Sequence, residues 1–143
     1  MADAFTDMVR GLAQVLHDAG VGDWSPGAAS AAEWPIALVS TPPNADKSIT
    51  LTMYASDRKP SLVNVLTAVN VRVRGDKAPA TSSAKAAEIY AVLQGLRGVL
   101  PNGARVTQVF WASETQIGPD QSGRYERSTN YYVQHDVMHA NAT

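Results

Sequence analysis

The chain has 143 residues, 45% of them apolar and 17% charged, with a net charge of −1 and no cysteine. Disulfide frameworks, thiol catalysis and cysteine-ligated metals are therefore excluded, and the lack of a basic excess argues against a freely diffusing nucleic-acid binder. So small a charged fraction leaves polar-poor surface that suits cover by a partner.

Phe5, Met8, Val9, Leu12, Val15 and Leu16 recur at helical spacing and predict a helix from about Asp3 to Ala19, with Gly20 as its stop. The following "GVGDWSPGAASAAEWP" is a loop by composition, yet it carries Trp24 and Trp34, which predicts a loop pinned onto the core. Ile36–Ser40 is a short apolar strand before Pro42-Pro43. Ser48–Ala55 alternates, with Ile49, Leu51 and Met53 on one face and Thr50, Thr52 and Tyr54 on the other. In Val63–Val73 every odd position is β-branched, while Leu66, Ala68, Asn70, Arg72 and Arg74 form the opposite face.

A second helix is expected over about Ser82 to Arg97, capped by Thr81, Ser82 or Ser83, with Ala86, Ile89, Tyr90, Leu93 and Leu96 as its stripe. Two more strands follow, Arg105–Ala112 and Tyr125–Val137, joined by "SETQIGPDQSGR", a long connection for a hairpin and so a candidate working surface. The fold class expected is α+β, in a single domain over 1–143. It would have a mainly antiparallel sheet of four to five strands, two helices packed on one face, and the order α-β-β-β-α-β-β.

Several chemical readings can be weighed. "HDVMH" mimics the spacing of a zinc-binding HExxH helix through His135, Asp136 and His139. In a strand, however, residues four apart lie about 13 Å from each other, too far to share one ion. Ser25, Ser30, Ser56 and Ser122 sit in no nucleophile elbow. His17 falls at a helix C-terminus, and Glu88 and Glu126 have no readable pairing. No phosphate-cradling glycine motif is present, and Arg72, Arg74 and Lys77 read as a solvated strand end. No catalytic residue, cofactor or metal site is expected. No apolar run approaches the ~20 residues that span a bilayer, so no membrane partner is expected either. "MADAFTDMVRGL" lacks the apolar core of a secretory signal.

The succession "VNVRVRG", then the helix "AEIYAVLQGLRGV", then a strand, a loop and "GRYERSTNYYV" resembles the tail terminator proteins of long non-contractile-tailed bacteriophages. These are often labelled minor capsid or minor tail proteins. An opening helix ending "DAGVG" and a strand ending in Tyr54 before "DRKPSL" extend the likeness over most of the chain. The resemblance implies a structural, non-enzymatic virion protein, assembled in the host cytoplasm and sited at the tail–neck junction. It would form a hexameric ring that caps the tail tube, stops its polymerisation and meets the head–tail connector or stopper protein. Double-stranded DNA would pass through the ring without specific binding. The expected contact residues are Arg72, Arg74, Glu114, Gln116, Asp120, Arg124, Glu126 and Arg127. The alternatives are a head-completion or stopper protein of the neck, and a small hydrolase or metal enzyme built on His135 and His139.

Physical size is compatible with a ring. A domain of this length has a radius of gyration of about 14–15 Å, and six such bodies arranged head to tail leave a hole about one subunit wide. Charge is uneven along the chain: residues 1–65 carry four Lys or Arg against seven acids, and residues 66–143 carry eight against six.

Overall fold

The computed structural model describes residues 4–25, 33–39, 47–56 and 64–136. Helix α1 (Ala4–Asp18) buries the face its spacing predicts, with Phe5, Met8, Val9, Leu12 and Leu16 all enclosed. Trp24 and Trp34 pack against the main core, as expected of aromatics in a pinned loop. Trp34 also lies under two ammonium groups, with Lys85 Nζ at 4.8 Å and Lys47 Nζ at 5.6 Å from its ring centre.

Six strands form one sheet: β1 (Ile36–Leu38), β2 (Ser48–Ser56), β3 (Asn64–Arg74), β4 (Gly98–Val99), β5 (Arg105–Ile117) and β6 (Glu126–Asp136). Their spatial order is β1-β2-β3-β6-β5-β4. The mixed α+β class is as expected, but the strand count exceeds the predicted four to five because β4 pairs Gly98 with Val106 and Val99 with Arg105. The order also gains this strand after the second helix. β1 runs parallel to β2, Ile36 beside Ile49, where consecutive strands were expected to be antiparallel. Nine residues separate the two strands and can span about 30 Å. A three-residue strand needs only about 10 Å of that for the chain to return to its starting end.

Helix α2 (Pro79–Leu93) starts three residues before the predicted Ser82. Proline occupies its first turn, where a missing N–H costs nothing, and Ala78 holds the cap position without a side-chain bond. The helix ends before Gly98, because Gly95 takes φ +79° and turns the chain. The buried stripe is Ser82, Lys85, Ala86, Ile89 and Leu93, while Tyr90, predicted to be inside, is 45% exposed. Lys85 is tolerated within because its Nζ donates to the Val21 carbonyl at 2.9 Å and meets Glu88 at 2.7 Å. At the strand-to-helix turn Gly75 lies so close to Ser82 that a Cβ would stand 2.9 Å from the Ser82 backbone nitrogen.

The central ladder of β3 and β6 is unbroken, from Asn64 beside Asp136 to Arg74 beside Glu126. Alternation then sends Val65, Thr67, Val69, Val71 and Val73 to one face with Thr129, Tyr131, Val133 and His135. Ile49 and Leu51 of β2 and Val106 and Val109 of β5 complete that face. Both helices contact the sheet, and these positions make up the core together with Leu12, Leu16, Ile89 and Leu93. Each fully buried aliphatic side chain contributes about 1.5–3 kcal/mol.

Candidate assembly surface

The opposite face of the sheet carries Thr50 and Thr52 from β2, and Leu66, Ala68, Asn70 and Arg72 from β3. From β6 come Glu126, Ser128, Asn130, Tyr132 and Gln134, and from β5 come Gln108, Phe110 and Ser113. Its chemistry divides into two zones. One is an amide and hydroxyl ladder: Asn70 Nδ2 donates to Ser128 Oγ at 2.6 Å and to Asn130 Oδ1 at 3.0 Å, and Asn130 Nδ2 donates to Ser113 Oγ at 2.9 Å. The other is an apolar strip in which Tyr54, Leu66 and Tyr132 stay substantially exposed and the rings of Phe110 and Tyr132 lie 5.6 Å apart. Partial burial, then the neighbouring Tyr132, push the Tyr54 phenol above its ordinary pKa.

Charges on this face are paired within the chain. Arg72 grips Glu126 as a fork, Nε to Oε1 at 3.2 Å and Nη2 to Oε2 at 2.7 Å. At the far margin Asn64 Nδ2 donates to Asp136 Oδ1 at 2.9 Å, and Arg105 Nε lies 3.8 Å from Asp136 Oδ2. A cavity of about 410 Å³ opens among Thr50, Thr52, Tyr54, Asn70, Arg72 and Asn130. Its described lining offers hydroxyl, amide and guanidinium groups that can hydrogen-bond a surface.

The β5–β6 hairpin carries the remaining expected contact residues. "SETQIGPDQSGR" is only partly a loop: Ser113 to Ile117 belong to β5, and the connection is Gly118–Tyr125. Glu114 and Gln116 are thus strand residues, on the face shared with Thr129 and Arg127. Arg127 Nη1 pairs with Glu114 Oε2, Thr129 Oγ1 donates to Glu114 Oε1 at 3.0 Å, and Arg127 Nη2 reaches Gln116 Oε1 at 3.4 Å. In the loop, Asp120 accepts from the backbone N–H groups of Ser122 and Arg124, both at 2.9 Å, and from Arg124 Nε at 3.0 Å. The Arg124 backbone N–H, followed by that of Ser122 and the guanidinium, holds the Asp120 carboxyl below its ordinary pKa.

The eight expected contact residues therefore do not form one patch. Seven of them fall into three intrachain groups: Arg72 with Glu126, Glu114 and Gln116 with Arg127, and Asp120 with Arg124. Arg74 is not a solvated strand end, since it is 8% exposed, in register beside Glu126. Glu126 is equally enclosed and presents only its fork with Arg72. What the sequence reading missed is the exposed aromatic content, Trp111 at 43% and Tyr90 at 45%. Trp111 lies in register beside Tyr131, a placement that only the structure supplies.

The residues proposed for hydrolysis or metal binding are pulled apart by the strand. His135 is 1% exposed, its Nε2 2.7 Å from Thr67 Oγ1, which in turn lies 3.0 Å from Ser56 Oγ; its ring stands edge-on to Phe5. Asp136 points to the other face, and His139 lies outside the described residues. Among the described residues no three His, Asp or Glu side chains converge. His17 closes α1: its Nδ1 accepts the Trp24 N–H at 3.2 Å and lies 3.3 Å from Asp23 Oδ1.

The described residues thus form one sheet with helices packed on it and an open face whose charges pair with one another. Residues 15–137 match the family model described as bacteriophage tail terminator protein, and the chain belongs to that family. Among solved structures, a chain of the virion of a native gene transfer agent particle is similar in fold. The TM-score is 0.53 at 15% identity, over 70% of this chain and 78% of that chain. No curated protein sequence matches.

Proposed function

We propose that this structural virion protein is a tail terminator that assembles into a six-membered ring on the end of the tail tube. The ring stops tube polymerisation and joins the tail to the head–neck connector, while DNA passes through its centre. The observation that carries this reading is the family match over residues 15–137. The likeness in fold to a chain of a gene transfer agent virion supports it. So does the chemistry of the open face: a surface whose arginines are already bound to carboxylates offers few free cations to phosphate. The chain acts as one domain, and its work is assembly and not catalysis. Arg72, Glu114, Gln116, Asp120, Arg124 and Arg127 are the outward groups available to neighbours, with Glu126 orienting Arg72 and Arg74 largely enclosed beside Glu126.

The test is native mass spectrometry with negative-stain imaging of the purified protein, followed by localisation in particles. A six-fold ring at the tail–neck junction is expected. A strictly monomeric mass together with absence from that junction would overturn the reading.

A further inference from the structure

The two ends of the sheet are finished differently. β1 is three residues long, and its outer side is partly occupied where Ile36 N–H donates to the Asp23 carbonyl at 2.9 Å. β5 is thirteen residues long, and its outer side is covered only in its first half. β4 takes Arg105 and Val106, and residues 95 and 96 exchange two bonds with Val109, Gly95 N–H to its carbonyl at 2.8 Å and its N–H to Leu96 at 3.0 Å. Gln94 Oε1 then caps the Trp111 N–H at 2.6 Å.

Beyond Trp111 no described residue bonds the outer side of β5. Which groups face outward follows from register. In an antiparallel ladder, bonded and non-bonded pairs alternate. Val109 and Trp111, opposite Val133 and Tyr131, direct their N–H groups away from β6. β6 itself keeps an unbroken register with β3, so Thr129 and Arg127 belong to the same class as Tyr131. Their partners on β5 are Glu114 and Gln116, past the bulge between Trp111 and Ser113. These two residues hold their backbone N–H and C=O groups outward, with no partner among the described residues.

Soluble proteins defend such an edge with lysine, proline or inward charges, because it is a template for another strand. Here Ala112–Ile117 contains no lysine and no proline, and its one charge, Glu114, is bound to Arg127. Two half-exposed aromatics flank the start of the open stretch. Trp111 lies on β5, and Tyr90 sits one helical turn before the Gln94 that caps it.

We propose that the free outer edge of β5 at Glu114 and Gln116, with Trp111 and Tyr90 beside it, pairs with an extended segment of a second copy of this chain. The inference rests on the ring reading and names the contact that builds the ring. A second copy is the fitting occupant because the ends of the sheet are unlike and complementary. Among the described residues Asp18, Asp23 and Glu33 stand on the β1 side, with Lys47 and the largely enclosed Lys85 as the cations beside them, whereas Arg97 and Arg105 stand beside β4 and the start of β5. Unlike surfaces that meet head to tail generate rings, and identical ones close two-fold dimers.

The test compares Gln116→Pro with Gln116→Ala. Proline removes an outward N–H without touching the ladder to β6, a substitution that edge strands tolerate. Native mass spectrometry is expected to show Gln116→Ala assembling as the wild type does and Gln116→Pro weakened about tenfold or more, as loss of one or two interchain hydrogen bonds requires. Circular dichroism should show the proline variant folded. On the unmutated protein, amide exchange at Glu114 and Gln116 is expected to slow when dilute monomer is concentrated into rings. A ring that survives Gln116→Pro, a two-fold dimer, or exchange at these amides that ignores assembly overturns this contact while leaving the ring intact as a question. A wild type that stays monomeric overturns the ring reading and this inference with it.

Discussion

The two faces of one sheet are made from the same strands, residue by residue, yet they answer to different physics. On β2, Leu51 is fully enclosed beneath the helices while Thr52, its neighbour, looks the other way into the open cavity. On β6, Tyr131 is 1% exposed and Tyr132 is 38% exposed. The covered face is held by area removed from water, which is additive and indifferent to direction. The open face is held by directed pairs, Arg72 with Glu126 and Asn70 with Ser128 and Asn130. Stability should therefore reside in the first face, and recognition in the second and along the β5 edge.

The sharpest way to break this division is to truncate adjacent residues. Leu51→Ala removes a fully buried side chain and is expected to cost about 2–5 kcal/mol. Thr52→Ala on the open side is expected to cost no more than about 0.5 kcal/mol. Chemical denaturation of both variants reads the difference, and equal losses would abolish the distinction between the faces.

A smaller effect tests whether the open face has an internal order of its own. Arg72 is 44% exposed in its side chain and Glu126 only 11%. Removing the arginine leaves an enclosed carboxylate without its fork, whereas removing the glutamate leaves a guanidinium that can turn to water. Arg72→Ala is expected to destabilise by about 1.5–3 kcal/mol and Glu126→Ala by about 1 kcal/mol. Thermal and urea unfolding of the pair, with the double variant closing the cycle, would show the asymmetry; the reverse order would mean that Glu126 is solvated and the fork incidental.

The same division explains how much could be read from the sequence. The odd positions of β3 and the stripe of α1 were legible because burial imposes a period, and burial was complete there. Ser113 to Ile117 was mistaken for loop because this end of the hairpin leaves both faces largely polar, so no alternation was imposed on "SETQI". The start of α2 was missed because a proline in the first turn replaced the expected hydroxyl cap. The parallel placement of β1 depends on where the chain returns, which no local pattern encodes. Of the candidate contact residues, the types were legible but their partners were not: Glu126 reads as a surface charge until register sets it beside Arg74 and within reach of Arg72. The two-faced character of β6 was recoverable from its alternation alone, whereas the free edge of β5 emerges only from the sheet order.

The smallest expected effect lies in the loop at the end of the hairpin, away from both faces. Asp120 binds two backbone N–H groups and Arg124 in its charged form, so its carboxyl titrates below the ordinary value of 3.8. A depressed acid contributes stability that is present in full above the unfolded value and lost as pH falls through the folded one. The stability gap between wild type and Asp120→Asn should therefore be constant above about pH 5 and close progressively below pH 3.8. Urea unfolding of both proteins at a series of acidic pH values would measure it. Because the group is at the surface, the effect belongs to the turn and not to the core, and amide exchange at Ser122 and Arg124 should follow it while the β3–β6 ladder does not. A gap that widened on acidification would mean that the carboxyl is bound in its neutral form, and the loop would then be held by the Arg124 backbone alone.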